Sequence, residues 1–271
     1  MKKRKHSNVT SREKKPFPGA PRRGSRNGAA ADKLIIYGLH AAKEALKNPN
    51  RQCLELKATK NALRELEKEL AKHRHESLPR QETTPDKLSQ MFKPGTVHQG
   101  VALTVAPLPE TGFDDLVAGG QTLIVLDQVT DPRNIGAIMR AAAVFGAGGI
   151  IVTRRNAPAP AGALAKTASG ALEHVPLVSV ANLSRCLSQL QDSGYVTLGL
   201  DERGDELMAE TDTSRPVALV MGAEGQGLRR LTKESCTRLV RLPNVAMQDG
   251  ADFACLNVAT ATAVSLYELA R

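Results

Sequence analysis

A chain of 271 residues is long enough for one large or two modest domains with well-buried cores, and two are expected. Hydrophobic residues make up 41% and charged residues 24%, the usage of a soluble protein, and no apolar run is long enough to span a bilayer, so no membrane association is expected. The formal net charge of +9 arises wholly within residues 1–30, where ten Lys or Arg face one acid, Glu13; the other 27 basic and 27 acidic residues cancel, which excludes a body that is basic overall.

That arm, residues 1–32, is rich in Pro, Gly and Ser and cannot bury a core, so disorder is expected there. It reads either as a solubilising tail or as a segment that tracks nucleic-acid phosphates and gains affinity by releasing counterions, and charge alone does not decide between them. Cys53, Cys186, Cys236 and Cys255 are scattered without a Cys-x-x-Cys pair, so neither a disulfide framework nor a zinc cage is indicated, and a reducing cytoplasm is expected. No apolar segment follows the basic residues, which excludes a secretory signal but not a mitochondrial transit peptide.

From Lys33 the pattern becomes that of a small α/β unit. Leu34 to Tyr37 reads as a strand, Gly38 as a turn, and Ala41 to Leu46 as a short helix stopped by Asn48-Pro49. A strand over Cys53 to Ala58 leads to a helix from Asn61 to about His73, with Leu63, Leu66 and Leu70 at helical spacing. Thr84 is placed to cap a helix through Met91, and Val101 to Val105 closes the unit as a strand. Residues 107–120, rich in Pro and Gly, are expected to be a linker between a domain of residues 33–106 and one of residues 121–271.

The second domain alternates strands and helices in the rhythm of a parallel sheet. Strands are expected over Leu123 to Leu126, Gly149 to Thr153, Val175 to Val180, Val196 to Leu200, Val217 to Met221 and Arg238 to Leu242. Helices are expected over Ile135 to Phe145, Gly162 to Leu172 and Leu183 to Asp192. Strands as apolar as Val217 to Met221 are buried on both faces, which makes this a doubly wound α/β domain. Its ligands should gather at the loops beyond the strands' carboxyl ends.

Three such loops carry unusual residues. In the first, Asp131 to Arg140, Asn134 reads on its own as a helix cap and Arg140 as a solvated surface residue. The second, Gly222-Ala223-Glu224-Gly225-Gln226-Gly227, allows close backbone approach to a ligand. It matches neither Gly-x-Gly-x-x-Gly nor a P-loop, and Glu224 would repel phosphate, so a ligand without phosphates is favoured. The third runs from Leu242-Pro243 through Asp249-Gly250 to Cys255-Leu256-Asn257-Val258-Ala259 and enters an apolar helix for which Asn257 is the expected cap.

In this order the loops resemble the three motifs of the SpoU (TrmH-like) family of SPOUT methyltransferases. Asn134 to Arg140 resembles motif one, Val220 to Gly227 motif two, and Leu242-Pro243 with Leu256 to Ala259 motif three. Gly170 to Pro176 also looks like the family. Tyr37 to Ala41 and His98 to Val101 further resemble the small substrate-binding domain that precedes the catalytic domain in bacterial ribosomal-RNA guanosine 2′-O-methyltransferases. The resemblance covers residues 33 to 271. Two departures stand out: Cys255 where the family usually has Ser, and Pro243-Asn244-Val245-Ala246 in place of the more usual Pro-Met.

The resemblance implies a C-terminal trefoil knot, a homodimer, and S-adenosylmethionine held by backbone groups of Gly222, Leu242 and Leu256. It makes Asn134, Arg140, Glu224 and Asn257 the polar catalytic set, with no metal. Arg140 is expected to grip a phosphate beside the target ribose and stabilise developing alkoxide charge, oriented by Glu224 and Asn257, because a guanidinium hardly deprotonates. The substrate expected is structured RNA, ribosomal RNA ahead of transfer RNA; DNA lacks the acceptor hydroxyl. A nicotinamide enzyme on the same sheet would need the missing glycine pattern. A noncatalytic RNA-binding assembly factor is opposed by the presence of all four polar residues.

Overall fold

The computed structural model describes residues 33–158, 162–245 and 255–271; the basic arm lies outside them. The first sheet is built from β1 (Leu34–Tyr37), β2 (Cys53–Ala58), β3 (Arg80–Glu82) and β4 (Val101–Val105) in the order β1-β4-β2-β3. β4 runs antiparallel to both its neighbours, while β2 and β3 are parallel. Helix α1 (Leu39–Lys47) covers this sheet with Ala41, Ala42, Ala45 and Leu46, packing on Ile36, Leu56 and Leu103.

The helix expected from Asn61 to His73 is instead interrupted. α2 (Lys60–Glu65) and α3 (Glu67–Leu70) meet at Leu66, and a 3-10 turn follows at His73–His75. The reason is tertiary: the buried His75 ring nitrogen lies 2.7 Å from the Leu46 carbonyl oxygen, and the Arg74 guanidinium donates to the same oxygen. Leu46 is at the end of α1, where carbonyls lack helical partners, and satisfying them outweighs one more turn of α3. α4 (Pro85–Ser89) starts at Pro85, which presets the first turn; Thr84 sits at the cap position without a side-chain cap bond.

The segment expected as a linker carries a helix, α5 (Phe113–Ala118), whose buried Leu116 joins Leu123, Val125 and Ile151. Phe113, Leu116 and Val117 have the i, i+3, i+4 spacing that the Pro and Gly residues around them mask.

The second sheet comprises β5 (Leu123–Asp127), β6 (Gly149–Thr153), β7 (Leu177–Val180), β8 (Val196–Leu200), β9 (Glu206–Leu207), β10 (Val217–Gly222) and β11 (Arg238–Arg241). All neighbouring pairs are parallel, in the order β7-β6-β5-β10-β8-β11-β9. α6 (Pro132–Val144), α7 (Gly162–Thr167), α8 (Leu183–Asp192), α9 (Arg230–Glu234) and α10 (Val258–Leu269) complete it. One apolar core, from Ile124, Ile138, Met139 and Ile150 to Leu219 and Val258, lies under α6 and α10, and a second under α8. α7 ends five residues before the expected Leu172 and gives way to a 3-10 turn at Ala171–Glu173, so β7 starts at Leu177 rather than Val175. Among the described residues no helix is long and apolar enough to cross a membrane.

Candidate active site

The three sequence motifs all emerge at the carboxyl end of the parallel sheet. The first follows β5. Its helix, α6, is capped by Asp131, whose carboxylate accepts from the Arg133 amide at 2.8 Å, with Pro132 at the first helical position. The hydrogen bond from the Arg133 side chain holds the Asp131 carboxyl below the usual carboxylate range. Asn134 is therefore not the cap. It stands in the first turn of α6, half-buried, with its side chain available to other elements.

The second motif is a tight loop after β10. The Gly227 amide donates to the Ala223 carbonyl at 2.8 Å, so the chain doubles back on itself. A Cβ on Gly222 would lie 2.2 Å from the Gly227 carbonyl carbon, which only glycine avoids. Just beyond, Arg229 anchors the loop to β5. Its backbone N–H donates to Asp127 Oδ2 at 3.1 Å, its Nε donates to Oδ1 at 2.8 Å, and its Nη2 lies 2.7 Å from Oδ1. Asp127 is fully buried. Neither partner figured among the residues singled out from sequence, although an acid ending the otherwise apolar strand Leu123–Asp127 was a visible signal.

The third motif brings Asn257 to the start of α10. Its Oδ1 accepts from the Ala259 amide at 2.9 Å, confirming the expected cap. Its amide nitrogen faces Asn134 Oδ1 at 3.2 Å and Glu224 Oε1 at 3.3 Å, while Asn134 Nδ2 faces Glu224 Oε2 at 3.4 Å. Two amides thus converge on one carboxylate from three separate loops. Glu224 itself is exposed, so the cluster opens to solvent.

Arg140 is not part of this cluster. Six positions along α6 place it about 120° around the helix and about 9 Å along it from Asn134. It is exposed and has no hydrogen-bond or ion-pair partner among the described residues, so Glu224 and Asn257 orient Asn134 within the chain and not Arg140. Arg140 lies instead on the outer face of α6 with Ala137, Ala141 and Val144. Beside it, the outer face of α10 shows Val264 and Tyr267, and the Phe145 ring meets Tyr267 edge-on. Val144 is 76% exposed and Tyr267 53%.

The three residues expected to hold a cofactor share the sheet's carboxyl edge. Gly222 ends β10, Leu242 directly follows β11 and packs partly on the core, and Leu256 precedes Asn257 with 53% of its surface exposed. Backbone groups at strand ends, an exposed leucine, and an acid in place of a phosphate cradle suit a nucleoside ligand without phosphates. The intervening residues 246–254 lie outside the described ones; Cys255 is exposed.

The model of the SpoU rRNA methylase family matches residues 121–267, and that of the RNA 2′-O ribose methyltransferase substrate-binding domain matches residues 35–111. The 23S rRNA (guanosine-2′-O-)-methyltransferase RlmB of Yersinia pestis is 36% identical over 243 residues, spanning 88% of this chain and 96% of that protein. Its counterpart from Photorhabdus laumondii is 37% identical over 244 residues, spanning 88% and 97%. The crystal structure of the SpoU methyltransferase AviRb from Streptomyces viridochromogenes in complex with AdoMet aligns with a TM-score of 0.72 at 24% identity, covering 89% of this chain and 90% of that one; the likeness is one of fold. With three motif loops converging on one carboxylate at the edge of such a sheet, the chain belongs to the SpoU rRNA methylase family and is an RNA 2′-O-methyltransferase.

Proposed function

We propose that this enzyme transfers the methyl group of S-adenosylmethionine to the ribose 2′-hydroxyl of a guanosine in large-subunit ribosomal RNA, in the cytoplasm. The observation that carries the reading is the convergence of Asn134, Glu224 and Asn257 at the sheet edge, where strand-end backbone groups suit the cofactor. The ribosomal substrate is supported by relatives of that name that align over nearly their whole length, and by the substrate-binding family match at residues 35–111.

The bound cofactor supplies an electrophilic methyl group; everything else is left to the protein. A C–O bond forms at the 2′-oxygen as the methyl–sulfur bond breaks, the sulfonium leaving as a neutral thioether, and the hydroxyl proton must leave. Glu224, held by two amide donors and open to solvent, is the group in the cluster able to receive it. Asn134 and Asn257 fix that carboxylate so that it does not reorganise during transfer. Arg140 keeps its role as the phosphate grip and charge stabiliser, but in the site of a second subunit. The exposed apolar strip on α6 and α10 supports a homodimer formed through this face, which would carry each Arg140 toward the partner's cluster. On the family resemblance, the C-terminal part of the catalytic domain is read as forming a trefoil knot.

Transcribed large-subunit ribosomal RNA and total transfer RNA, both free of modification, test the assignment with isotopically labelled cofactor. Label is expected in the ribosomal transcript at one ribose, resistant to alkaline cleavage there. Label confined to transfer RNA would overturn the ribosomal assignment.

A further inference from the structure

A buried ion pair outside the methyl-transfer cluster joins the N-terminal unit to the segment after α7. Arg51, in the turn between α1 and β2, donates through Nη2 to Glu173 Oε1 at 2.7 Å and through Nε to Oε2 at 3.0 Å. Both side chains are only 2% exposed. The remaining groups are also satisfied: Arg51 Nη1 donates to the Ala106 carbonyl at 2.9 Å, and Asn48 Nδ2 donates to Glu173 Oε2 at 2.8 Å. One carboxylate of the catalytic domain therefore gathers the end of α1, the turn after it and the end of β4.

The surrounding seam repeats the pattern. Lys166 on α7 donates to the Val97 carbonyl at 2.6 Å, and the His174 ring nitrogen lies 3.0 Å from Glu44 Oε2. Gly170, at φ 94°, lets the chain after α7 turn directly against α1; a Cβ there would stand 2.5 Å from Glu44 Cγ. Two motifs shared with the substrate-binding domain serve this seat. Gln99 accepts from the Leu39 amide at 3.1 Å, and the Gly38 amide donates to the His98 carbonyl at 3.2 Å, which holds the two loops together where Lys166 docks. On its other side α7 touches the active-site helix, with Thr167 Oγ1 donating to the Pro132 carbonyl at 3.0 Å, two residues from Asn134.

Removing both charges from water is costly, and an apolar pair of the same shape would hold two domains together at least as well; what a fully hydrogen-bonded ion pair adds is a single orientation. We propose that Arg51 and Glu173 are positioning residues for the methyl transfer: they lock the N-terminal domain at one angle on the catalytic domain, so that RNA held by the first presents its target ribose to Asn134, Glu224 and Asn257 at a fixed distance. The inference rests on reading residues 33–106 as the substrate-binding domain.

The test uses full-length protein in a Cys255→Ser background with spin labels at Lys68→Cys and Ser188→Cys, exposed sites on the two domains. Without further change the interdomain distance distribution should be narrow. Arg51→Met and the milder Glu173→Gln should broaden it and raise KM for the ribosomal fragment by about tenfold, with kcat and cofactor affinity within about twofold. A distribution that stays narrow with KM unchanged overturns the proposal. So does a loss of cofactor affinity in step with kcat, which would make the pair part of the catalytic domain's own fold. If the unsubstituted enzyme methylates no RNA, the functional reading fails separately, and the distance distributions alone decide whether the pair orients the domains.

Discussion

Asn257 and Asn134 are 123 positions apart in the chain, yet the amide nitrogen of one faces the amide oxygen of the other at 3.2 Å, joining the cap of α10 to the first turn of α6. Asn257 has two duties, the α10 cap and the donor to Glu224, and substitution separates them. Asn257→Asp keeps the cap acceptor but replaces the donor by a charge that repels Glu224. Turnover should fall by ~10²-fold with the melting temperature nearly unchanged. Asn257→Ala loses the cap as well and should cost about 1 kcal/mol of stability. Calorimetric melting beside single-turnover transfer checks both; equal melting losses in the two variants would show that the cap is not what Asn257 contributes to stability.

Arg140 is assigned to a partner's site, and mixed dimers report this directly. Arg140→Ala should lower turnover by ~10²-fold with little change in cofactor binding, and Arg140→Lys should rescue poorly because the planar fork is lost. When the inactive Arg140→Ala and Glu224→Gln proteins are mixed and allowed to exchange subunits, one site in each mixed dimer regains both residues. Activity should recover to about a quarter of the unsubstituted level, given statistical pairing in a two-fold dimer. Mixtures that stay inactive after verified exchange would place Arg140 in its own chain's site.

Asp127 is the buried end of the pair that anchors the Glu224 loop. Arg229→Ala leaves its carboxylate without its counter-charge and should destabilise the fold by about 3 kcal/mol. Asp127→Asn keeps the shape and relieves the unpaired charge in Arg229→Ala. The double variant is therefore expected to melt above Arg229→Ala alone, while its turnover stays low because the loop is no longer held. Equal melting of the single and double variants would contradict the electrostatic account.

Thiol chemistry should single out Cys255. Burial pushes Cys53 up to about 11 and Cys186 and Cys236 up to about 12, so these remain protonated at pH 8, whereas Cys255 is exposed. Alkylation at pH 8 should modify Cys255 first, with the other three reacting only as the pH climbs toward their raised values or the chain unfolds. Cys255→Ser should abolish the fast phase and keep or raise activity, since it supplies a stronger hydrogen-bond donor. An inactive serine variant would give the thiol a role of its own.

Much of the fold was legible in the chain because its strands are apolar runs or, in β2, an apolar–charged alternation of ordinary length: β1, β2, β4, β6 and β8 fall on the expected residues. What escaped were elements without that signal. β3 is Arg-Gln-Glu with all three side chains exposed, and it exists because β2 offers its edge. The two-residue β9 is held by β11, and the break in the helix after Lys60 is set by the carbonyl of Leu46, none of which is local information. At the site, the motifs named Asn134, Glu224 and Asn257, but only the fold shows that α6 turns Arg140 away from them and that Asp131, not Asn134, caps the helix.

The most direct test of the account is single-turnover transfer to a ribosomal-RNA fragment carrying the mapped target guanosine as ribose or as 2′-deoxyribose, with the unsubstituted enzyme and with Glu224→Gln. The account requires rapid methylation of the ribose fragment by the unsubstituted enzyme, none of the deoxyribose fragment, and at least ~10²-fold slower transfer by Glu224→Gln at equal cofactor affinity. Methylation of the deoxyribose fragment at the ribose fragment's rate, or undiminished transfer by Glu224→Gln, would contradict it.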